Sequence, residues 1–193
     1  LHDEAVSPGL EVKPATTTMT VDDELGEVRP VIVCAIVHGV NLGEDEDSKD
    51  AAIRRLMDHQ EKLHFAIGRG RYRASIGVHD LARLKAPFRA VCVGRDARFI
   101  PLGSESPMSI EAILREHPKG VDYAHLLDGM DRVPVLLDAE DNVLSFPPII
   151  NGAHTTVTTS TTSMFVDVTG WDLAACEASV SYTHLTLPTK SSG

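Results

Sequence analysis

Residues 144–151 place two polar side chains beside a stiff stretch of backbone. Ser145 and Asn151 flank Pro147 and Pro148, whose rings fix the backbone φ angles. Rigid backbone suits the wall of a pocket, where a few placed polar groups orient a ligand by hydrogen bonds. The same sequence is also typical of a corner that ends a strand, so a pocket and a corner both remain open.

A second candidate lies in the apolar segment 165–170. Because side chains alternate between the two faces of a strand, Asp167 and Thr169 share one face with Phe165, whereas Val166 and Val168 lie on the other. A carboxylate in mid-strand is costly to bury without a hydrogen-bond partner. Asp167 therefore either caps a nearby turn or binds a ligand, and the sequence leaves both alternatives open.

The motifs of several enzyme classes are absent from the sequence. There is no HExxH motif, and His59 and His64 are five residues apart on a predicted helix, so they point in different directions and we predict no metal site. His79 follows an apolar strand and is interpreted as a structural histidine, with a general base as the alternative. The GxSxG elbow and the GxxxxGK[ST] phosphate loop are missing, so we expect neither a serine hydrolase nor ATP binding by this chain.

Composition excludes further classes of protein. The sequence has 18 Lys and Arg against 28 Asp and Glu, a formal charge of −10, which argues against DNA binding because phosphate contacts need surplus cations. The longest apolar run, 31–37, is far shorter than the ~20 residues of a membrane span. Cys34, Cys92 and Cys176 form no CxxC pair, which favours a reduced, cytoplasmic protein without disulfides or a membrane anchor.

The patterns along the chain divide it into three parts. Residues 1–28 are rich in Pro, Thr and acids and do not begin with Met, so we interpret them as a boundary segment or linker in a fragment of a longer reading frame. Residues 29–180 form the predicted domain. Residues 181–193 resemble translated adaptor sequence, and we set them aside as a non-native tail.

Apolar periodicity predicts the elements of the domain. We expect helices capped by Ser48, Ser109 and Asp172. Continuous or alternating apolar runs predict strands at 31–37, 74–78, 88–93 and 164–169, and a hairpin over 133–146.

Seven motifs in this order resemble the editing domain of the phenylalanyl-tRNA synthetase beta subunit, in its archaeal and eukaryotic form. The resemblance covers residues 28–180 and includes the segments 144–151 and 165–170. The other motifs are QEKLH at 60–64, IGVHDL at 76–81, FIPLG at 99–103, HPKG at 117–120 and YAHLL at 123–127.

The resemblance implies a fold, an activity and partners. The expected fold is α+β, a three-layer arrangement of β-sheets with flanking helices. Family members form a cytoplasmic heterotetramer of two alpha and two beta subunits, in which the alpha subunit carries ATP- and magnesium-dependent aminoacylation. The beta-subunit domain, here 29–180, hydrolyses tyrosine wrongly attached to phenylalanine tRNA and needs no cofactor of its own. Because the nucleophile elbow and the metal motif are missing, we expect a positioned water rather than a covalent nucleophile, with a hydroxyl of the terminal ribose as a candidate helper.

The resemblance also implies an editing pocket. Leu136 would form an apolar wall for the aromatic ring, and Ser145 and Asn151 would be polar lining. Asp167 and Thr169 would sense the tyrosine hydroxyl, with His79 and His154 as candidate helpers in catalysis. The basic run Arg69, Arg71 and Arg73 either contacts tRNA phosphate or is a solvated loop.

One position departs from the family pattern. Family members often have a basic residue before the Val-Thr pair that follows Asn151, and this chain has Thr156 before Val157 and Thr158. A lost cation would weaken contact with the tRNA end. Two alternatives to an active editing domain therefore stand: a non-catalytic, tRNA-contacting domain of the same synthetase, and a free-standing trans-editing module.

Overall fold

The computed structural model describes residues 13–186. Its elements in chain order are β1 (Met19–Val21), α1 (Leu25–Val28), β2 (Val31–His38), α2 (Glu46–Ala66), β3 (Ala74–Asp80), β4 (Phe88–Gly94), β5 (Arg98–Phe99), β6 (Met108–Ser109), α3 (Ile110–Glu116), α4 (Pro118–Tyr123), β7 (Arg132–Leu137), β8 (Val143–Phe146), β9 (Ile150–Asn151), β10 (Ser163–Gly170) and α5 (Leu173–Thr186). Short 3-10 turns span Leu81–Arg83, Ala124–Leu127 and Ala153–Thr155.

The strands of residues 13–186 form two larger sheets and a two-stranded ribbon, β5–β6. The five-stranded sheet has the order β1-β4-β7-β8-β9, and the three-stranded sheet has the order β2-β10-β3. β1 pairs with β4 in parallel, and the other pairs are antiparallel. The mixed α+β class with several sheets and flanking helices is therefore confirmed, as is the hairpin, which is β7–β8.

Strand alternation separates the apolar side chains into cores on either side of each sheet. Met164, Val166 and Val168 of β10 pack with α2 and α5 in one core, whereas Phe165 packs on the opposite face. That second core holds buried side chains of β4, β7 and β8, and a third core joins the five-stranded sheet to α3. The predicted faces of β10 are thus confirmed, and Asp167 lies on the face that Phe165 occupies.

The helix starts agree with the predicted capping residues in two cases of three. The Ser109 side chain accepts from Ala112 N–H, and Asp172 Oδ1 accepts from Ala175 N–H. For α2 the cap is Asp45, whose carboxylate accepts from the Ser48 N–H in a capping box. The prediction of Ser48 as the cap was wrong by three residues, because both residues of a capping box suit the cap position.

The predicted domain boundaries need correction at both ends. Residues 19–28 are packed against the domain: β1 pairs with β4, and Leu25 is 1% exposed in the core beneath Phe88 and Leu136. Polar residues around Met19, Val21 and Leu25 make residues 19–28 hydrophilic on average, so the composition of this segment predicted a linker. At the other end, α5 continues past residue 180 to Thr186, and the Thr183 side chain is buried. Residues 1–12 and 187–193 lie outside the described residues.

Within residues 13–186, the structure has no helix with the length and apolar character that crossing a bilayer requires.

Leu25→Ala tests whether residues 19–28 belong to the domain. Removing a fully buried leucine side chain is expected to lower the free energy of unfolding by about 2–5 kcal/mol. The matched control is Val21→Ala, since Val21 is 51% exposed and should cost less than about 0.5 kcal/mol. Urea unfolding measures both variants, and equal stabilities would show that the segment is a linker.

Candidate functional site

A cavity of about 300 Å³ opens among α2, β3 and the segment from β8 to the turn at 153–155. This volume lies at the lower end of small-ligand pockets. The walls are largely apolar, with the polar groups concentrated at the opening and at one buried patch. The lining side chains used below are those of Gln60, Glu61, Arg71, Ser75, Ile76, Val78, Lys119, Ser145, Ile149, Asn151, Thr155, Thr156 and Asp167.

The segment with two prolines is both a corner and a wall. Ser145 and Asn151 are register partners on β8 and β9, and the turn between them closes through the Ile149 N–H, which donates to Phe146 O at 2.8 Å. Arg71 Nη1 donates to the carbonyls of Pro148 and Ile149 at 3.1 and 2.9 Å. The two sequence alternatives therefore describe the same structure, because the corner holds Ser145 and Asn151 against the cavity.

Asp167 is the carboxylate at the buried end of the cavity. It is 1% exposed, and its Oδ2 lies 2.6 Å from His79 Nε2. The Ser145 hydroxyl donates to its Oδ1 at 3.4 Å. Gly77 is its register partner on β3, and a Cβ at that position would overlap Oδ2. The carboxylate thus occupies space that only a glycine in β3 leaves free.

His79 links Asp167 to Thr155 in the buried polar patch. The ring is fully buried, and its Nδ1 lies 2.8 Å from the Thr155 hydroxyl, which is also 3.0 Å from Gly152 O. Both ring nitrogens are therefore hydrogen bonded, so the orientation of the imidazole is fixed. His154, the other candidate helper, is exposed, and partial burial lowers its pKa below the usual 6.5.

Thr169 lies behind the cavity wall instead of lining it. Its hydroxyl accepts from Arg29 Nε at 2.7 Å and lies 3.3 Å from the hydroxyl of Ser75, which does line the cavity. Arg29 also donates from Nη2 to Ser75 and to the carbonyls of Arg71 and Thr169. Burial lowers the pKa of Arg29 to about 10, while Cys176 and Asp167 oppose that shift, so this guanidinium stays charged at neutral pH.

The opening carries a cluster of charges around Glu61. Its Oε1 lies 2.7 Å from Arg71 Nη2, 3.3 Å from Lys119 Nζ and 3.7 Å from His64 Nδ1. His64, Arg71 and Lys119 outweigh partial burial and lower the pKa of Glu61 to about 2. The Arg71 guanidinium also stacks on the Tyr123 ring, 4.3 Å from its centre.

Burial lowers the pKa of His64 itself. The ring accepts the Ile76 N–H at Nε2, at 2.8 Å, which leaves its proton on Nδ1. His64 is thus a neutral support of β3, next to the point where Gln60 donates to Ile76 O at 2.6 Å.

The structure brings together three of the five residues predicted for the pocket. Ser145, Asn151 and Asp167 line the cavity, whereas Thr169 lies one layer behind it. Leu136 is not among the lining residues: it is fully buried with Phe88 and Phe165 in the core between the sheets. Its side chain is enclosed in this core and does not form the expected wall, although its register partner Ser145 does line the cavity. Ile76, Val78 and Ile149 are among the apolar lining residues.

The three basic residues of the loop after α2 have different environments. Arg69 is exposed, with a φ of 47°. Arg73 forms an ion pair with Asp172. Arg71 is buried, and both of its terminal nitrogens form hydrogen bonds: Nη1 to the carbonyls of Pro148 and Ile149, and Nη2 to the Glu61 carboxylate. Arg71 therefore braces the cavity, and Arg69 is the member of the run that faces solvent.

Some site residues carry little sequence signal. Gly77 in mid-strand was a visible signal of close approach. Arg29, Gln60 and Thr155 were not predicted, since their partners lie far along the chain. Among the described residues there is no cluster of three or more His, Cys, Asp or Glu side chains suited to a metal ion.

Comparison with known proteins gives a consistent family match. The sequence profile of the family described as "B3/4 domain" matches residues 31–192. The phenylalanine–tRNA ligase beta subunit of Methanosarcina barkeri is 46% identical over 160 residues, which cover 83% of this chain and 28% of that protein. That of Methanothrix thermoacetophila is 46% identical over 171 residues, covering 86% of the chain and 31% of the relative.

A solved structure agrees with these sequence matches. The crystal structure of an N-terminal fragment of the phenylalanyl-tRNA synthetase beta subunit from Pyrococcus horikoshii superposes with a TM-score of 0.85 at 38% identity, covering 93% of this chain and 50% of that one. The resemblance predicted from the seven motifs is confirmed. The chain spans about three tenths of the length of the curated relatives it matches.

Glu61→Gln tests the electrostatics of the opening. The pKa of Glu61 is about 2 in the folded chain, below the ordinary value of ~4.3. The ionised carboxylate therefore stabilises the fold at pH values above ~4.3, and this contribution disappears as the pH falls toward 2. The variant is expected to be less stable than the wild type at pH 7 and equally stable near pH 2. Urea unfolding across this range measures the difference.

The matched control is Glu105→Gln, at an exposed carboxylate away from the cavity. It should show little difference from the wild type at either pH. A Glu61→Gln deficit that persists unchanged to pH 2 would contradict the assigned ion pairs.

Proposed function

The chain belongs to the B3/4 domain family and is homologous to beta subunits of archaeal phenylalanine–tRNA ligases, and we propose that it is the editing domain of such a subunit. In this proposal the domain hydrolyses tyrosine wrongly esterified to phenylalanine tRNA. It thereby supports the accurate attachment of phenylalanine.

The observation that carries this proposal is a buried carboxylate at the end of a largely apolar cavity. A synthetic site shaped for phenylalanine rejects an added hydroxyl poorly, by only about 100-fold in comparable cases. A second site reverses the preference if it offers the hydroxyl a buried partner. Asp167, with the Ser145 hydroxyl beside it, would be such a partner, and phenylalanine would leave its Oδ1 without a good donor at a cost of about 1–3 kcal/mol. Asn151 lines the same cavity.

The chemistry requires only a placed water. The oxygen of the water attacks the ester carbonyl, the ribose oxygen leaves, and the proton of the water passes to that ribose oxygen. An aminoacyl ester is already activated, so positioning supplies much of the acceleration. The more exposed polar lining, which includes Asn151 and Thr156, is the part of the cavity where the ester would lie.

The wider assembly follows the same proposal. We place the chain in a cytoplasmic complex of two alpha and two beta subunits, with phenylalanine tRNA as the nucleic-acid partner. The ATP and magnesium of aminoacylation would belong to the alpha subunit, and this domain would work without a cofactor. Arg69, the solvent-facing member of the basic run, is the proposed contact with tRNA phosphate.

Asp167→Asn tests the proposed activity. The substitution keeps the shape of the side chain and removes its charge, so the hydrolysis of tyrosyl-tRNA is expected to fall about 5- to 150-fold, the equivalent of 1–3 kcal/mol. Loss of radiolabelled tyrosine from the tRNA measures the rate.

The control for this experiment is Asp141→Asn, the same change at a carboxylate whose side chain is 76% exposed. It should leave the rate within about twofold of the wild type. Equal rates for both variants and the wild type would refute the role of Asp167 in editing.

A second candidate function, a non-catalytic tRNA-contacting domain, is favoured by Thr156. This residue is exposed at the cavity, and its hydroxyl donates to Ala153 O at 2.6 Å, so the position offers no positive charge to the tRNA end. Stable tyrosyl-tRNA in the presence of the folded wild-type chain would favour this function over editing.

Thr156→Arg tests whether the missing cation matters. One added phosphate contact is expected to tighten tRNA binding several-fold at low salt. It should also make the slope of log K against log salt concentration more negative by about 0.7–0.9, the effect of one neutralised phosphate. Thr158→Arg, on a neighbouring residue that is not among the cavity lining, is the matched control. Filter binding across a salt series measures both, and equal effects would show a nonspecific charge contribution.

A further inference from the structure

We propose that His79 is a positioning residue that sets the specificity of the cavity by keeping Asp167 a hydrogen-bond acceptor. The cavity then selects phenylalanine derivatives whose para substituent donates a hydrogen bond, such as 4-hydroxy and 4-amino groups. It disfavours those with hydrogen, chloro or methoxy at that position. This inference rests on the proposed editing function and deepens it by naming the substrate class.

The hydrogen-bond partners of His79 leave it one orientation. Nε2 lies 2.6 Å from Asp167 Oδ2 and Nδ1 lies 2.8 Å from Thr155 Oγ1, and both side chains of the pair are sealed from solvent. The ring also contacts Phe165, with ring centres 6.0 Å apart. A histidine held at both nitrogens presents a fixed group to the carboxylate.

The protons around the ring can be placed from these contacts. The single hydroxyl proton of Thr155 goes either to Gly152 O, at 3.0 Å, or to His79 Nδ1. In the second case the neutral ring carries its proton on Nε2 and donates it to Asp167. In the first case Nδ1 donates to Thr155, and the 2.6 Å contact between Nε2 and Asp167 Oδ2 is a hydrogen bond that shares one proton. In both cases the proton lies on the Oδ2 side of the carboxyl group.

Arg29 places a buried positive charge near Asp167. This buried guanidinium bonds Thr169, two residues from Asp167 on the same strand face, and interacts electrostatically with the carboxylate. A carboxylate that accepts from Nε2–H has only lone pairs left to offer. An acid with its proton on Oδ1 would instead present a donor to the cavity and would accept a methoxy oxygen as readily as a phenol.

One oxygen of Asp167 remains for a ligand. Oδ2 is occupied by His79, whereas Oδ1 has only the long 3.4 Å contact from the Ser145 hydroxyl. Asp167 and Ser145 both line the cavity, so a donor at the para position of an aromatic ring would complete the bonding of Oδ1. His79 itself is not among the lining residues, and it acts through Asp167 alone.

The test compares four tRNA esters, carrying tyrosine, 4-aminophenylalanine, 4-chlorophenylalanine and phenylalanine. His79→Leu removes the donor at similar volume, and His79→Gln keeps an amide N–H able to reach Asp167. We expect His79→Leu to lower kcat/KM about 10- to 100-fold for the two donor esters and less than about threefold for the other two. His79→Gln should retain most of the wild-type preference.

An equal loss on all four esters, in a variant with an unchanged unfolding transition, would overturn the proposal and leave His79 a purely structural role. If His79→Leu does not fold, Thr155→Val carries the test, with Thr155→Ser as its control. Removing the hydroxyl is expected to reduce the donor preference about 3- to 10-fold, and keeping it in serine should preserve the preference.

Binding separates this inference from the proposed function. Adenosines that carry tyrosine or phenylalanine through a non-hydrolysable 3′-amide are titrated against the wild type and His79→Leu. A tyrosyl preference that disappears in His79→Leu supports the inference even if the wild type hydrolyses no ester, an outcome that would refute editing alone. No tyrosyl preference in the wild type overturns the inference.

Discussion

The hydrogen bond between Asp167 and His79 is the constraint around which the rest of the site is arranged. Asp167 is 1% exposed, and burying a carboxyl group costs several kcal/mol unless its hydrogen-bond partners are in place. The neighbouring residues meet that requirement in different ways. Gly77 has no Cβ to overlap the carboxylate, Thr155 bonds Nδ1 of His79, and Arg29 supplies a nearby positive charge. Each is understandable only with reference to the carboxylate.

The fold supplies the rigidity that this bond needs. β10 is the central strand of its sheet and is paired along its length with β2 and β3, so the register that sets Asp167 opposite Gly77 is held on both sides. The stacked five-stranded sheet brings Ser145 to the same carboxylate through β8. A shift of one residue in β10 would move Asp167 into the apolar core beneath α2 and α5, and the cost of burial there opposes such slippage.

Local patterns predicted the parts of the site that depend on local geometry. The period of two in a strand was enough to place Asp167 with Phe165, and two prolines were enough to mark the corner that holds Ser145 and Asn151. Leu136, which the family resemblance implied, shares a sheet face with its register partner Ser145, but its side chain is packed with Phe88 and Phe165 in the core, and no local pattern distinguishes a core position from a cavity position on the same face. Arg29 was missed because its side-chain partners lie 42, 46 and 140 residues away, and no local pattern encodes contacts at that separation.

Hydrogen bonds join the opening of the cavity to its buried end through two arginines. Arg71 binds Glu61 at the opening and the carbonyls of the proline corner, and its own carbonyl accepts from Arg29, which bonds Thr169 on the strand of Asp167. The charges at the opening therefore help to fix the geometry of the buried end of the cavity. Since the terminal nitrogens of Arg71 are all in use, recruiting it to a phosphate would require loosening the corner. The network is therefore better understood as the frame that fixes the shape of the cavity.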